Sequence, residues 1–410
     1  MVVWESEALG NVANMSCDKV SVNKLTVKNY ISTENMLPDR GGIEIAAKLP
    51  TAENVNMFSP GDVLFSNIRT YFKKVWLADR HGGASADVIV FRPRDTKKVV
   101  SQYLYYVLSS DSFIESTVTA SKGTKMPRGD KDAMLRYTMP LPSFTVQRRI
   151  AGILSAYDKL IENNLRRIRN LEEMARTLYR EWFVNFRYPG HEYVPLVDSM
   201  LGQIPQGWVV KELSELCERM ESGGTPKRTE STFWDDGEID WFKTRELWDG
   251  FLFGSEERIT NLGLKKSSAR LFEPGTILMA IYGSPTVGRL GILTRPSSCN
   301  QAALGMVPDN KKISQIFLYF VLMFLREHFN GMAQGAAQQN ISKEKVAGTV
   351  ARVPPRLLIS AFDAVVDPIF SQLRVLQEQT ANLRRTRDLL LPRLLSGQVT
   401  LATDTQPITA

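Results

Sequence analysis

The sequence predicts an α+β fold in which two mixed α/β domains are joined by two long antiparallel coiled-coil helices, as a tandem repeat with an approximate two-fold axis. Three observations lead to this prediction. The chain has 410 residues, more than one ordinary core holds. A motif of the first half returns in the second half. Each half ends in a long amphipathic pattern of helical period.

The composition indicates a globular protein with enough apolar residues to form hydrophobic cores. Hydrophobic residues make up 43% of the chain and charged residues 23%. The three cysteines, Cys17, Cys217 and Cys299, are odd in number and far apart, which predicts no disulfide framework and favours a reducing cytoplasm. The beginning of the chain lacks the basic and apolar regions of a signal peptide. We therefore expect a cytoplasmic protein, whose net charge of +7 is compatible with a polyanionic partner without requiring one.

An internal repeat organises the chain. Residues 58–64 (FSPGDVL) return as residues 272–278 (FEPGTIL), 214 positions later. Residues 140–142 (PLP) and 353–355 (VPP) each close a mixed region and open a helical pattern. We therefore divide the chain as follows: a first domain over 1–143, a first helix over 144–187, a second domain over 188–355, a second helix over 356–397, and a tail over 398–410.

Both predicted helices carry a heptad seam. Apolar residues recur at steps of three and four, and the same register returns 212 positions later. The residues expected to pair the helices are Leu154, Tyr157, Ile161, Ile168, Leu171 and Leu178 in the first, and Val366, Ile369, Leu373, Leu376, Leu383 and Leu390 in the second.

The length and order of these helices predict their direction. A helix of about 40 residues reaches about 60 Å, and so long an apolar stripe needs a covering partner. The ends of a compact domain normally lie near each other, so the second helix should begin beside the end of the first. Paired helices must then run antiparallel, with one domain at each end of a rigid bar. Pro368 is expected near the first turn or at a kink, and Gly397 is expected to stop the second helix.

The globular parts are predicted to hold more strand than helix. Short β-branched or aromatic runs bounded by turn residues mark strands at 61–68, 75–78, 88–91, 276–282 and 290–294. One apolar helix is expected late in each domain, around 103–108 and over 316–325. The second of these is half the length that a membrane-spanning helix requires.

Catalytic motifs are missing from the sequence. There is no cofactor-binding glycine turn or Asn/Asp-Pro-Pro-aromatic loop of an amino-methyltransferase. Asp39, Glu44 and Lys48 have poor spacing for a nuclease centre, and the three histidines have no ligand-like spacing. Residues 283–290 (GSPTVGRL) lack the Lys and Ser/Thr of a phosphate-binding loop and are interpreted as a turn between strands. We expect neither a catalytic group nor a metal site.

Cations and hydrogen-bonding side chains collect at two corresponding places in each half. Such groups can bind DNA phosphates and hydrogen-bond to base edges, although many cations in loops are simply solvated. The candidate DNA-binding residues of the first half are Arg69, Lys73, Lys74, Lys122, Lys125, Arg128 and Lys131. Those of the second half are Lys227, Arg228, Lys243, Arg245, Tyr282, Arg289, Gln338, Gln339, Asn340, Lys343 and Lys345. The loops differ in sequence while the helices keep their register. This predicts two domains that recognise different sequences and share one helical support.

At this point a family resemblance is visible over essentially the whole chain. Residues 140–161 (PLPSFTVQRRIAGILSAYDKLI) resemble the central conserved region of specificity (S) subunits of type I restriction-modification systems. Residues 383–397 (LRRTRDLLLPRLLSG) resemble the ending of that family. The opening of its target recognition domains is similar to residues 204–208 (IPQGW), followed by 224–226 (GTP) and 239–241 (IDW).

The resemblance implies a non-catalytic subunit. Each target recognition domain would read one half of a bipartite, asymmetric sequence in double-stranded DNA, and the helices would set the spacer and dock two methylation (M) subunits. Restriction (R) motor subunits would join through the complex. S-adenosylmethionine, ATP and Mg²⁺ would be used by partner subunits, and the complex would be an adenine methyltransferase and endonuclease. Inserting one helical turn, about 5.4 Å, in both helices should lengthen the spacer by one or two base pairs.

Two other functions stay open at this stage. One is a DNA-modifying enzyme with a degenerate catalytic domain, which methyl transfer by the purified chain alone would reveal. The other is a coiled-coil adaptor unrelated to DNA. Charge reversal at Lys122, Lys125, Arg128, Lys343 and Lys345 separates them, because an adaptor would keep its complexes and show no DNA phenotype.

Overall fold

The computed structural model describes residues 4–121, 123, 126–283, 286–334 and 340–399, except for the side chain of Gln334. The chain divides into two compact units. Unit 1 comprises residues 1–162 and 382–410, and unit 2 comprises residues 163–381. Each unit therefore contains one globular domain together with a segment of each long helix.

Unit 1 is a mixed domain of short strands and helices. Its strands are β1 Ser6–Ala8, β2 Ala13–Met15, β3 Lys19–Ser21, β4 Tyr30–Ile31, β5 Asn54–Phe58, β6 Val63–Ser66, β7 Val75–Leu77, β8 Gly82–Ala84, β9 Val88–Pro93 and β10 Thr138–Pro140. Its domain helices are α1 Leu9–Val12, α2 Ser101–Ser109, α3 Asp111–Thr119 and α4 Lys131–Arg136, and the first long helix is α5 Phe144–Tyr179.

The main sheet of unit 1 has the order β2-β9-β6-β7 and is antiparallel throughout. Strand β6 is buried on both faces, which fits its continuous apolar sequence. Phe65 of this strand meets Phe91 and Phe113 with ring centroids 6.4 and 5.5 Å apart. A second sheet, β3-β5-β8-β4, and the pair β1-β10 complete the domain.

Unit 2 contains the remaining elements. Its strands are β11 Leu196–Ser199, β12 Gly202–Pro205, β13 Val209–Glu212, β14 Cys217–Ser222, β15 Ile239–Phe242, β16 Gly250–Leu252, β17 Glu257–Ile259, β18 Ile277–Ala280, β19 Leu290–Leu293, β20 Ser297–Cys299, β21 Ala303–Pro308 and β22 Val350–Val353. Its domain helices are α6 Leu213–Leu216, α7 Asn261–Lys265, α8 Gln315–Phe324, α9 Arg326–Gln334 and α10 Lys343–Ala347, and the second long helix is α11 Arg356–Leu395.

The main sheet of unit 2 repeats that of unit 1. Its order is β14-β21-β18-β19-β16, so the first four strands match β2-β9-β6-β7 in order and in antiparallel pairing. Val63 pairs with Phe91 in unit 1, and Ile277, 214 positions after Val63, pairs with Met306. The chain is therefore duplicated in its framework. Strand β16 pairs in parallel with β19 and has no counterpart in the main sheet of unit 1 among the residues that the structure describes.

Within unit 1 the two long helices pack antiparallel. The guanidinium of Arg387 donates to Asp158 at 2.7 Å, and Arg387 is 6% exposed. Earlier along α5 and later along α11, Ile150, Leu154 and Leu394 belong to one buried cluster. Asp158 also accepts from the Tyr106 hydroxyl at 2.5 Å, so this contact between the helices joins α2 as well.

Within unit 2 the later part of α5 meets the earlier part of α11. Phe362 lies among Tyr179, Trp182 and Phe183, with ring centroids 6.0, 5.9 and 4.9 Å away. Glu172, which precedes these residues on α5, lines the same cavity as Leu373 and Gln377, which follow Phe362 on α11. The direction is therefore antiparallel in this unit as well, as the sequence predicts.

The structure places the predicted pairing residues at two levels of burial. Six are buried: Leu154, Ile161, Ile168, Val366, Leu373 and Leu376. Six are partly buried: Tyr157, Leu171, Leu178, Ile369, Leu383 and Leu390. Tyr179 and Phe183 are more deeply buried than Leu178, although the heptad register selects Leu178.

The ends of the helices also differ in detail from the expectation. Helix α5 gives way at Arg180–Val184 to a π-helical turn, which shifts the buried face by part of a turn. Pro368 lies inside α11 without ending it, and Gly397 has φ 71° just beyond the helix, as expected for a helix stop. No helix among the described residues is both long and apolar enough to span a membrane.

Candidate nucleic-acid interface

In unit 1 the two predicted basic segments lie side by side. The loop that follows β6 meets the segment before α4 through an isolated antiparallel bridge between Ile68 and Arg128. The amide of Arg69 donates to Pro127 at 2.9 Å, and the amide of Gly129 donates to Asn67 at 3.2 Å. We call residues 67–74 and 126–131 the first loop pair.

Unit 2 makes the same connection at the equivalent positions. Tyr282 and Asn340 form an isolated antiparallel bridge, and the amide of Ile341 donates to Ile281 at 2.9 Å. The side chain of Asn340 also accepts from the amide of Gly283 at 3.3 Å. We call residues 281–283 with 286–289 and 340–345 the second loop pair. The sequence predicts a turn between strands over residues 283–290. Residues 283 and 286–289 lie between β18 and β19, and residues 284 and 285 lie outside the described part of the chain.

The cations of the first loop pair have different partners. Arg69 and Lys131 are exposed and have no carboxylate partner among the described residues. Arg128 is paired with Asp87 at 2.9 Å. Lys73 is paired with Asp111 at 2.7 Å. These charges therefore range from free to neutralised within one loop pair.

Lys74 faces inward. Its ammonium donates to the Thr33 carbonyl at 2.7 Å, and burial lowers its pKa. It stays below the exposed surface that the other cations form. Lys74 consequently contributes less to the external positive potential than Arg69 does.

The first loop pair includes two exposed aromatic residues. Tyr71 is 49% exposed and Phe72 is 40% exposed, with ring centroids 4.8 Å apart. The short 3₁₀ turn that carries them is flanked by Arg69 at φ 49° and Lys73 at φ 52°, both left-handed conformations unusual for these residues. Exposed rings next to cations suit the faces of nucleic-acid bases.

In unit 2 four of the predicted cations are bound to glutamates. Arg228 is paired with Glu257 at 2.7 Å, and Lys227 with Glu230 at 3.3 Å. Lys243 likewise bridges Glu256 and Glu257, and Arg245 contacts Glu256. These cations are thus largely compensated within their own domain.

Two of these glutamates stay charged because of their neighbours. Burial alone would raise the pKa of Glu257, but Arg228 and Lys243 outweigh burial and hold the pKa below its usual range. Burial acts in the same direction on Glu256, and Arg245 with Lys243 again lowers the pKa of that carboxyl. The ion pairs consequently persist at neutral pH.

The other predicted residues of unit 2 cluster at the second loop pair. Tyr282 is 41% exposed, Lys343 and Asn340 are half-buried, and Lys345 is exposed. Arg289 is half-buried and lies over the ring of Trp248 at 4.5 Å. Four predicted residues lie outside the described part of the chain: Lys122, Lys125, Gln338 and Gln339.

Apart from Tyr282, the exposed aromatic residues of these surfaces are not predicted from the sequence. Trp248 is 71% exposed, and neither it nor Tyr71 and Phe72 are among the predicted site residues. Hydrophobic pattern predicts aromatic residues to be buried, and only tertiary contacts reveal the exceptions. Among the described residues, no group of three or more His, Cys, Asp or Glu side chains is placed to hold a metal ion.

The sequence and the fold are similar to those of known proteins. A family model described as the type I restriction modification DNA specificity domain matches residues 1–173 and 205–355. The chain belongs to this family. DNA sequence specificity is therefore its class of function, and the duplicated match agrees with the duplicated framework.

Individual relatives extend over almost the whole chain. The MjaIX specificity subunit of Methanocaldococcus jannaschii is 26% identical over 92% of this chain and 86% of its own length. The HindI specificity subunit of Haemophilus influenzae is 22% identical over 97% of this chain and 99% of its own. A crystal structure of a type I system S subunit from M. genitalium has the same fold, with a TM-score of 0.61, 16% identity and 96% coverage of both chains.

Proposed function

We propose that each domain of this specificity subunit reads one half of a bipartite, asymmetric target in double-stranded DNA. The observation that carries the proposal is the equivalence of the two loop pairs. Both are closed by a bridge at the same point of the duplicated framework, between Ile68 and Arg128 and between Tyr282 and Asn340. Their side chains differ, so the two domains would read different sequences.

DNA binding would combine two kinds of contact. Free cations such as Arg69 and Lys131 suit phosphates, whose contacts are sensitive to salt and carry no sequence information. Amide and guanidinium groups such as those of Asn340 and Arg128 suit base edges, because Asn matches adenine and Arg matches guanine. The chain itself would donate no catalytic group.

The long helices would set the distance between the half-sites and dock two methylation (M) subunits. Helices of 36 and 40 residues support this role, because a continuous helix has a fixed rise per residue. The M subunits would use S-adenosylmethionine to methylate an adenine in each half-site after flipping it from the stack. Restriction (R) motor subunits with ATP and Mg²⁺ would join in the cytoplasm to form the complete complex.

Mapping methylated adenines in the host genome tests the proposal directly. We expect a two-part motif with a fixed gap that disappears when this gene is deleted and returns when the gene is restored. A gene carrying charge reversals at Arg69, Arg128 and Lys131 should fail to restore it. Reversals at Lys24, Lys28 and Lys48 of the same domain serve as the matched control. Persistence of the motif after deletion would contradict the proposal.

The role of the helices has its own test. Seven residues are inserted after Glu162 in α5 and seven after Ala381 in α11, so that the heptad phase is kept in both. Each insertion adds about 10.5 Å, so the gap in the methylated motif should grow by about three base pairs at 3.4 Å each. Insertion into α5 alone is the mismatched control and should abolish methylation. An unchanged gap with active double insertion would rule out a spacing role.

A further inference from the structure

Arg289 of the second loop pair stacks on an exposed tryptophan, Trp248. The guanidinium of Arg289 lies 4.5 Å from the ring of Trp248, which is 71% exposed. Arg289 follows Gly288 at the end of the turn between β18 and β19. An indole left this open contributes little to the core, so its position calls for another explanation.

A network of hydrogen bonds fixes the stack in place. Asp249, directly after Trp248, accepts from the amide of Leu290 at 2.9 Å and from Arg326 at 2.9 Å. Arg326 also donates to the carbonyl of Gly288 at 2.8 Å. The loop that carries Trp248 is thereby joined to the turn that carries Arg289.

The backbone at both ends of this network is specialised. Asp249 has φ 62°, a left-handed conformation that is unusual for a residue with a side chain. Gly288 has φ 80°, and a Cβ there would lie 2.8 Å from the Cγ of Arg326. These unusual conformations hold the indole against the guanidinium, and they are explained if the orientation of Arg289 matters.

Arg289 differs from the other predicted arginines of unit 2 in its partners. Arg228 and Arg245 are neutralised by glutamates. In the described part of the chain, Arg289 makes no side-chain hydrogen bond and no ion pair. Stacking on a ring fixes the plane of a guanidinium while leaving its N–H edge free. A pre-oriented fork of this kind matches the O6 and N7 acceptors of guanine.

We infer that Arg289 reads a guanine in the half-site of the second domain and that Trp248 is its positioning residue. This inference rests on the proposed function. It assigns Arg289 to a base edge instead of a phosphate, and it gives Trp248 a role through Arg289. Lysine keeps the charge but lacks the fork, so substitution by lysine separates the two types of contact.

The test uses the complete complex with its methylation subunits and the motif mapped for the wild-type gene. The affinity of complexes containing the wild type, R289K or R289A is measured for duplexes that carry each single base-pair change in the second half-site. We expect both variants to lose about tenfold or more of the discrimination at one G·C pair. Discrimination at the other positions and throughout the first half-site should stay as in the wild type. R270K, an exposed arginine of the same unit outside the loop pair, is the matched control.

The positioning role has a separate readout. W248A should weaken the same discrimination as R289K, and W248F should restore part of it because a ring is kept. In an R289A background, W248A should cost nothing further. Thermal unfolding of each variant identifies any loss of folding before the binding data are interpreted.

Three results would overturn the inference. R289K could keep full discrimination at every position, R289A could weaken all duplexes equally as a phosphate contact does, or W248A could reduce binding further in the R289A background. Failure of the proposed function gives a different result, because the wild-type complex itself would then show no discrimination in the second half-site.

Discussion

The two domains share a framework and differ at the surface that the framework presents. Four strands keep their order and pairing between the units, and a single backbone bridge closes each loop pair at the same point. The first loop pair exposes free cations and two adjacent rings, whereas in unit 2 Arg289 of the second loop pair stacks on Trp248, and four other predicted cations of the unit are held by glutamates. The duplicated part is thus held by burial and backbone pairing, which tolerate divergence in the loops.

The largest predicted effect is a loss of stability when a core residue is shortened at the same repeat position of either long helix. Ile150 of unit 1 and Phe362 of unit 2 are 212 positions apart and both are 0% exposed. We expect F362A to lower the free energy of unfolding by about 3–5 kcal/mol, because it leaves a large cavity among aromatic rings. I150A should cost less, about 2–4 kcal/mol. Denaturant unfolding measures both.

The matched control for this comparison lies on the same helix. Leu357 is 85% exposed, so L357A should change the unfolding free energy by no more than about 0.5 kcal/mol. Hydrogen exchange locates each loss within its own unit. An F362A effect as small as that of L357A would contradict the packing described for unit 2.

A medium effect is expected where the duplicated helices differ in chemistry. The amide of Gln147 is buried, donates to Lys98 and Pro142 at 3.0 and 2.9 Å, and accepts from the Val100 amide at 3.0 Å. The equivalent residue of the second helix is Ile359, which is 0% exposed. The two positions should therefore not be interchangeable.

We expect Q147I and I359Q each to cost about 2 kcal/mol of unfolding free energy. The first leaves buried backbone groups unpaired, and the second buries an amide without its partners. I359L keeps the apolar character and should cost less than about 1.5 kcal/mol. Thermal and denaturant unfolding provide the measurement, and a neutral I359Q would show that this helix start has polar partners available.

The smallest predicted effect compares a free cation with a neutralised one. Arg69 has no carboxylate partner among the described residues, whereas Arg228 is paired with Glu257. R69A should reduce the slope of log affinity against log salt concentration by about 0.9, the value for one phosphate contact. R228A should reduce it by clearly less, because the glutamate already competes for that guanidinium.

Binding of the complete complex to its duplex over a range of salt concentrations tests this prediction. R80A removes a cation of the first domain that is paired with Asp79 and lies outside the loop pair, so it is the control for R69A. Equal slopes for R69A and R228A would show that the internal ion pairs open on DNA binding.

The framework was predictable because its signals are local and repeated. The strands at 63–66 and 277–280 follow from continuous apolar runs, and the antiparallel helices follow from heptad phase and chain order. The equivalent places of the basic segments in the two halves also follow from the repeat, whereas the backbone bridge that joins the two segments of each half is found only in the structure. Each of these signals is present in short segments of sequence.

The structural details that the sequence did not predict depend on contacts between residues that are distant in the chain. The π turn after Tyr179 brings Phe183 into the core, and heptad counting assumes that no such turn is present. The exposure of Trp248 depends on Asp249 and Arg326, which are far apart in sequence. The neutralisation of Lys243 by Glu256 and Glu257 likewise becomes visible only in three dimensions.

The bridges that close the loop pairs have an evolutionary consequence. Hydrogen bonds such as that from Gly129 to Asn67 and from Ile341 to Ile281 join main-chain atoms, which every amino acid except proline supplies in the same form. Mutations can therefore replace the side chains beyond the bridge without loosening the attachment of the loops. If each domain reads its own half-site, one domain can acquire a new target sequence while the other keeps its old one. The two specificities can then diversify independently within a single gene.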